Sequence, residues 1–171
     1  MTAEEHEWNA APPGDATPPS GPARTELLTF RCGGQCYALD IASVREIRGW
    51  SRPTPLPHTP KFMLGMVNLR GTVLPVTDLA LRLGHPAMPD DARNVIIVVQ
   101  QARRLHGLLV EAVTDIVRPA PDQLQDMPQV GAARDGVAPD RMFLSETGIL
   151  QILALERVLP ALHAPDAEAI P

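Results

Sequence analysis

Gly65-Met66-Val67-Asn68-Leu69-Arg70-Gly71-Thr72-Val73-Leu74-Pro75-Val76-Thr77-Asp78-Leu79 is the stretch from which the fold can be read. Val67 and Leu69 alternate with polar neighbours, the period-2 pattern of a half-buried strand. Val73, Leu74 and Val76 make a second apolar run, and Asn68-Leu69-Arg70-Gly71 between the two runs is a turn signal, with Gly71 free to take positive φ. Pro75 cannot donate to a sheet ladder, so the second strand is expected at a sheet edge or bulged at Pro75. Asp78 is placed to cap a short helix over Leu79-Ala80-Leu81-Arg82-Leu83, and Gly84 to stop it. The stretch therefore predicts a hairpin that carries an arginine at its bend and feeds a turn or two of helix.

Outward from this hairpin the chain repeats the same vocabulary. Glu26–Arg31 and Cys36–Leu39 predict a hairpin around Gly33-Gly34. Asp40 is placed to cap a single turn, Ile41-Ala42-Ser43, and Val44-Arg45-Glu46-Ile47 follows as a strand. Strict alternation puts Val44 and Glu46 on one face of that strand and Arg45 and Ile47 on the other. Pro53-Thr54-Pro55-Leu56-Pro57 predicts an extended surface loop. Asn94–Val99 is a continuous apolar run, as in a strand buried on both faces, and His106–Val110 is its return. Val113–Val117 predicts a short strand, and 122–138 an irregular segment with one turn near its start. Met142–Leu144 and Ile149–Leu153 predict a further hairpin, and Leu155–Leu159 a short closing helix. Many short strands at close spacing favour a closed or nearly closed barrel. Residues 1–24, rich in Pro and Ala, carry too little large apolar surface to offset ordering entropy and are expected to be disordered.

Composition excludes several functions. The net charge of −5 argues against a nucleic-acid backbone or an anionic membrane surface as partner. No apolar run is long enough to span a bilayer, and Met1–His6 lacks the basic start and apolar core of a secretory signal, which predicts a cytoplasmic protein. Cys32 and Cys36 have no second ligand pair for zinc and are expected to be reduced thiols beside a turn. The five histidines are scattered, and Ser43, Ser51 and Ser145 lack a nucleophile context. No nucleophile, base or metal constellation is legible, so neither catalysis nor a cofactor is expected. What remains is a recognition surface, with Glu46 and Arg70 as its charged members or as an ion pair within the fold.

The central stretch matches G-x-x-N-L-R-G-x-x-x-P-V-x-D-L through Gly65, Asn68, Leu69, Arg70, Gly71, Pro75, Val76, Asp78 and Leu79. Val44-Arg45-Glu46-Ile47-Arg48-Gly49 matches V-x-E-I-R-G upstream. Downstream, Gly107-Leu108-Leu109-Val110-Glu111, followed by Val113 and Asp115-Ile116, is similar to G-L-V-V-D-x-V-x-D-V. Three blocks in order resemble the CheW-like domains of bacterial chemotaxis coupling proteins. The resemblance implies a mainly β fold with short helices, in which two SH3-like five-stranded β-barrel subdomains share a hydrophobic core. The expected domain runs over 25–165, with subdomains at roughly 25–91 and 92–160 and a flexible C-terminus at 166–171. It also implies a non-catalytic adaptor that couples the cytoplasmic tip of methyl-accepting chemoreceptors to the regulatory domain of a chemotaxis histidine kinase. An adaptor of a chemosensory-like pathway for pili or a second messenger is the alternative within the class. A small-molecule-binding barrel or an enzyme is the alternative outside it. By resemblance the receptor-binding positions are Val44, Glu46, Gly65, Asn68, Arg70 and Gly107.

Overall fold

The structure, a computed structural model, describes residues 25–128, 137, 139 and 141–159. The expectations for 1–24, for 166–171 and for most of 129–140 lie outside the described residues.

The first hairpin forms where it is expected: β1 (Leu27–Cys32) and β2 (Gln35–Asp40) join through Gly33 and Gly34, both at positive φ. Asp40 accepts a hydrogen bond from the Ala42 amide at 2.9 Å and so starts a single 3-10 turn. The chain then runs through β3 (Val44–Gly49), β4 (Met63–Leu69) and β5 (Thr72–Asp78) into helix α1 (Leu79–Arg82). Asp78 caps that helix through the Leu81 amide at 3.2 Å, and its second carboxylate oxygen accepts from the Met88 amide at 2.9 Å. Gly84, at φ +88°, ends it. Next come β6 (Val95–Gln101), β7 (Arg104–Val110), β8 (Ala112–Val117), β9 (Leu124–Asp126), β10 (Arg141–Ser145), β11 (Gly148–Ile152) and helix α2 (Leu155–Val158).

These strands form two sheets. Sheet I has the order β8-β1-β2-β11-β10-β9 and sheet II the order β3-β6-β7-β5-β4. Among the described residues only β2–β11 and β5–β7 run parallel. The mainly β class and the two-unit architecture are as expected. Sheet I, however, has six strands rather than five, because β9 forms inside the segment read as irregular and pairs with β10.

Each sheet curls round its own core. Leu69, Leu74, Val76, Ile96, Val98 and Leu109 fill sheet II, and Leu27, Ala38, Phe143 and Ile152 fill sheet I. A third, larger cluster joins the sheets, with Leu28, Phe30 and Leu39 from one and Ile97, Val99, Leu108 and Val110 from the other. Strand β6 therefore buries both faces: Ile96 and Val98 point into sheet II, and Ile97 and Val99 point into the shared core. That is why its sequence reads as a continuous apolar run rather than an alternating one.

Three further expectations are corrected. A division at 91/92 does not separate the sheets. Sheet II takes β3–β5 from the first half of the chain and β6–β7 from the second, while sheet I takes β1–β2 from the first half and β8–β11 from the second. Pro75 is neither at a bulge nor on a simple edge strand. The register shift lies on β4, between Met63 and Gly65, and β5 meets β7 only from Val76 onward. Pro75 thus stands at the last position of β5 that lacks a β7 partner, where its missing N–H breaks no β7 ladder bond. The third correction, at β3, shapes the candidate site.

Candidate functional site

Strand β3 does not alternate. Val44 pairs with Val99 and Glu46 with Val98, so Arg45 is the extra residue of a β-bulge. Val98 and Val99 are consecutive and face opposite sides, and the two residues opposite them do likewise. Val44 and Glu46 therefore do not share a face. Val44 packs against the core between the sheets, and Glu46 turns to the side of sheet II's own core.

Arg70 sits at the bend between β4 and β5 with φ +50°, and Gly71 beside it has φ +86°. The Gly71 amide donates to Asn68 Oδ1 at 2.9 Å, which fixes the turn and occupies the Asn68 side chain locally. From that bend the Arg70 guanidinium pairs with Glu46 Oε2, while Arg48 Nη1 lies 3.3 Å from Glu46 Oε1. The carboxylate of Glu46 is 28% exposed between two guanidinium groups, and Arg70 is 74% exposed. Such a pair contributes at most about 1 kcal/mol to stability. It links β3, at one edge of sheet II, to the hairpin at the other edge.

Two of the residues expected at the receptor-binding surface are enclosed. Gly65 is buried at φ +146°, and a Cβ there would lie 2.1 Å from the Thr54 carbonyl oxygen. The backbone that approaches this glycine is the chain's own: Thr54 and Met66 exchange hydrogen bonds of 2.8 and 2.9 Å and draw the loop after β3 across β4. Gly107 lies inside sheet II, where a Cβ would come within 3.0 Å of both Ile96 Cγ2 and Val76 Cγ2. Glu46, Asn68 and Arg70 are brought together at one end of sheet II, Val44 lies beneath on the other side of β3, and Gly65 and Gly107 serve packing.

The sequence reading passed over Arg48, the second cation on Glu46, and over Ile47 and Val73, which are 48% and 58% exposed. The V-x-E-I-R-G spacing contained the signal for Arg48, since i and i+2 share a strand face. Behind this end, Trp50 donates to Asp90 Oδ1 at 2.8 Å and Arg52 pairs with the same carboxylate, tying the loop after β3 to the loop before β6.

Cys32 is buried and its thiol is pushed up to about 12 by burial, with Asp78 and Glu111 adding to the shift; Cys36 is exposed. Tyr37 OH lies 2.7 Å from His85 Nε2 and donates to Gln35 Oε1 at 3.1 Å. His106 is buried, and burial, with the charge of Arg104, holds its imidazole below the ordinary range. Among the described residues no three His, Cys, Asp or Glu side chains are grouped to hold a metal.

A family model described as the CheW-like domain matches residues 26–163. The probable chemotaxis protein CheW of Rhizobium etli is 50% identical over 107 residues, which cover 63% of this chain and 69% of that protein. The chemotaxis protein CheW of Rhizobium meliloti is 40% identical over 136 residues, covering 80% and 88%. The crystal structure of the scaffolding protein TtCheW from Thermoanaerobacter tengcongensis matches with a TM-score of 0.71 at 26% identity, covering 77% of this chain and 90% of that one. With a bent hairpin presenting N-L-R-G, a bulged V-x-E-I-R-G strand paired to it by charge, and a family match over most of its length, the chain belongs to the CheW-like domain family.

Proposed function

We propose that this protein is a non-catalytic adaptor, working in the cytoplasm, that couples chemoreceptors to a chemotaxis histidine kinase. No helix among the described residues is long and apolar enough to cross a membrane. The observation that carries the receptor contact is the Arg48–Glu46–Arg70 cluster, exposed at the end of sheet II, with the exposed Ile47 next to Glu46 in β3 and the exposed Val73 opposite Asn68 in β5. The partner is an antiparallel helical hairpin of the receptor tip. Aliphatic side chains supply affinity, and the guanidinium of Arg70, aligned by Glu46, sets register. A planar fork of donors suits a carboxylate or amide on a helix face, and lysine cannot copy it. Val44 supports this end from beneath. The kinase contributes its regulatory domain, docked elsewhere on the double sheet.

The test is receptor-fragment affinity, kinase affinity and thermal unfolding on Arg70→Glu, Glu46→Lys and the double exchange. Each single reversal is expected to weaken receptor binding by about 2–5 kcal/mol, to leave kinase binding unchanged, and to move stability by less than about 1 kcal/mol. The double exchange restores the ion pair but presents it reversed, so receptor binding stays weak. Receptor affinity unchanged in the single variants sinks the assignment. A double exchange with full receptor affinity reduces the pair to a brace within the fold.

A further inference from the structure

The two sheets share one pairing register. In sheet II Gly65 lies opposite Val76, Val76 beside Gly107, and Leu109 opposite Ile96. In sheet I Arg141 lies opposite Ile152, Ile152 beside Ala38, and Asp40 opposite Leu27. Arg141 thus corresponds to Gly65, Ile152 to Val76, Asp40 to Leu109 and Leu27 to Ile96.

Sheet II is packed shut at this place. Val76, Leu109 and Ile96 belong to its core, and the Thr54 carbonyl lies against Gly65. Sheet I keeps the apolar members, since Leu27 and Ile152 belong to its own core, but charged residues stand where sheet II has Gly65 and Leu109. Directly opposite residues of antiparallel strands share a face, so Asp40 and Arg141 start from the same side of sheet I as Leu27 and Ile152. A cavity of about 260 Å³ opens there, lined by the buried Leu27, Ile152 and Leu155 and by the charged Asp40, Arg141 and Glu156.

Unlike charges lining one cavity attract each other, yet these three do not pair. Asp40 Oδ1 accepts from the Ala42 amide at 2.9 Å, and its second carboxylate oxygen has no partner among the described residues. Arg141 and Glu156 make no ion pair and no side-chain hydrogen bond among the described residues. The cavity therefore separates a guanidinium from two carboxylates over an aliphatic lining. Its volume falls below the roughly 300–1,000 Å³ of sites for drug-sized molecules, which restricts an occupant to a smaller one.

We propose that this cavity binds a small α-amino acid with a cationic side chain. The carboxylate of the ligand meets the planar donor fork of Arg141. Its two cationic groups go to Asp40 and Glu156, and its methylene chain lies on Leu27 and Leu155. Two carboxylates against one guanidinium select a ligand with one net positive charge. The site lies on sheet I and is independent of the receptor reading of Glu46 and Arg70.

Isothermal titration calorimetry of the full chain with lysine, norleucine and cadaverine tests the assignment. Norleucine lacks the side-chain cation, and cadaverine lacks the carboxylate. Lysine is expected to bind at least tenfold more tightly than either. Arg141→Gln should erase the advantage of lysine over cadaverine. Asp40→Asn, which retains an acceptor for the Ala42 amide, and Glu156→Gln should each weaken lysine binding at least tenfold. Thermal unfolding verifies that each variant is folded. Absence of lysine binding up to millimolar concentration, equal affinity for the three compounds, or lysine affinity unchanged in any of the three variants overturns the proposal.

Discussion

A glycine can be required by a partner or by the chain itself, and Gly65 shows how to tell them apart. Its φ of +146° and the Thr54 carbonyl 2.1 Å from a would-be Cβ assign it to the chain. Gly65→Ala is expected to cost at least about 1–3 kcal/mol from backbone strain alone, and more from displacement of the Thr54 bridge. Urea unfolding measures this, and a variant with the wild-type midpoint would place the loop elsewhere. His106 makes a prediction of opposite character. It is buried with Nδ1 lacking a partner, and its pKa is lowered by burial and then by Arg104. The unfolded chain therefore takes up this proton at a higher pH than the folded one, so the stability contribution is complete above pH about 6.5 and is lost as pH falls below it. Unfolding midpoints from pH 7.5 to 5 should decline, and His106→Gln should remove that part of the slope. An unchanged slope in the variant rules out His106 as its source.

At the scale of the element, one extra residue decides the candidate site. Without the bulge at Arg45, Glu46 would share Val44's face and point into the core between the sheets, where an unpaired carboxylate is costly. With it, Glu46 reaches Arg70. Strand β6 has no such irregularity, and its burial on both faces makes it the strand on which both cores lean. Ile97, fully buried in the shared core, should lose about 2–5 kcal/mol on truncation to alanine. Denaturant unfolding at the wild-type midpoint would contradict that position.

Across the whole molecule, the two halves of the chain exchange hairpins. Each carries a hairpin followed by a strand, a second hairpin and a short helix, and each first hairpin is laid into the sheet completed by the other half. Neither sheet can form from one half, because β6–β7 is the centre of sheet II and β1–β2 the centre of its counterpart. Residues 1–91 and 92–171 produced separately are expected to lack a cooperative thermal transition, and mixing them should restore β-sheet circular dichroism and one. A half that melts cooperatively by itself would show the exchange to be dispensable.

Local chemistry wrote much of this protein directly into its sequence. Turn residues, caps and apolar period placed the hairpins, the cap at Asp78, the positive-φ Gly71 and the doubly buried β6, because each depends on neighbours a few residues away. The N-L-R-G bend and Glu46 were legible for the same reason. Tertiary structure alone decided which strands share a sheet, since pairing between β3 and β6 or β5 and β7 joins residues tens of positions apart and leaves no local mark. It decided that Gly65 and Gly107 face the chain's own atoms, because a glycine reads alike whichever backbone approaches it. It also decided the face of Glu46, because a bulge is set by register against a distant strand, and a period-2 reading of one strand has no access to that register.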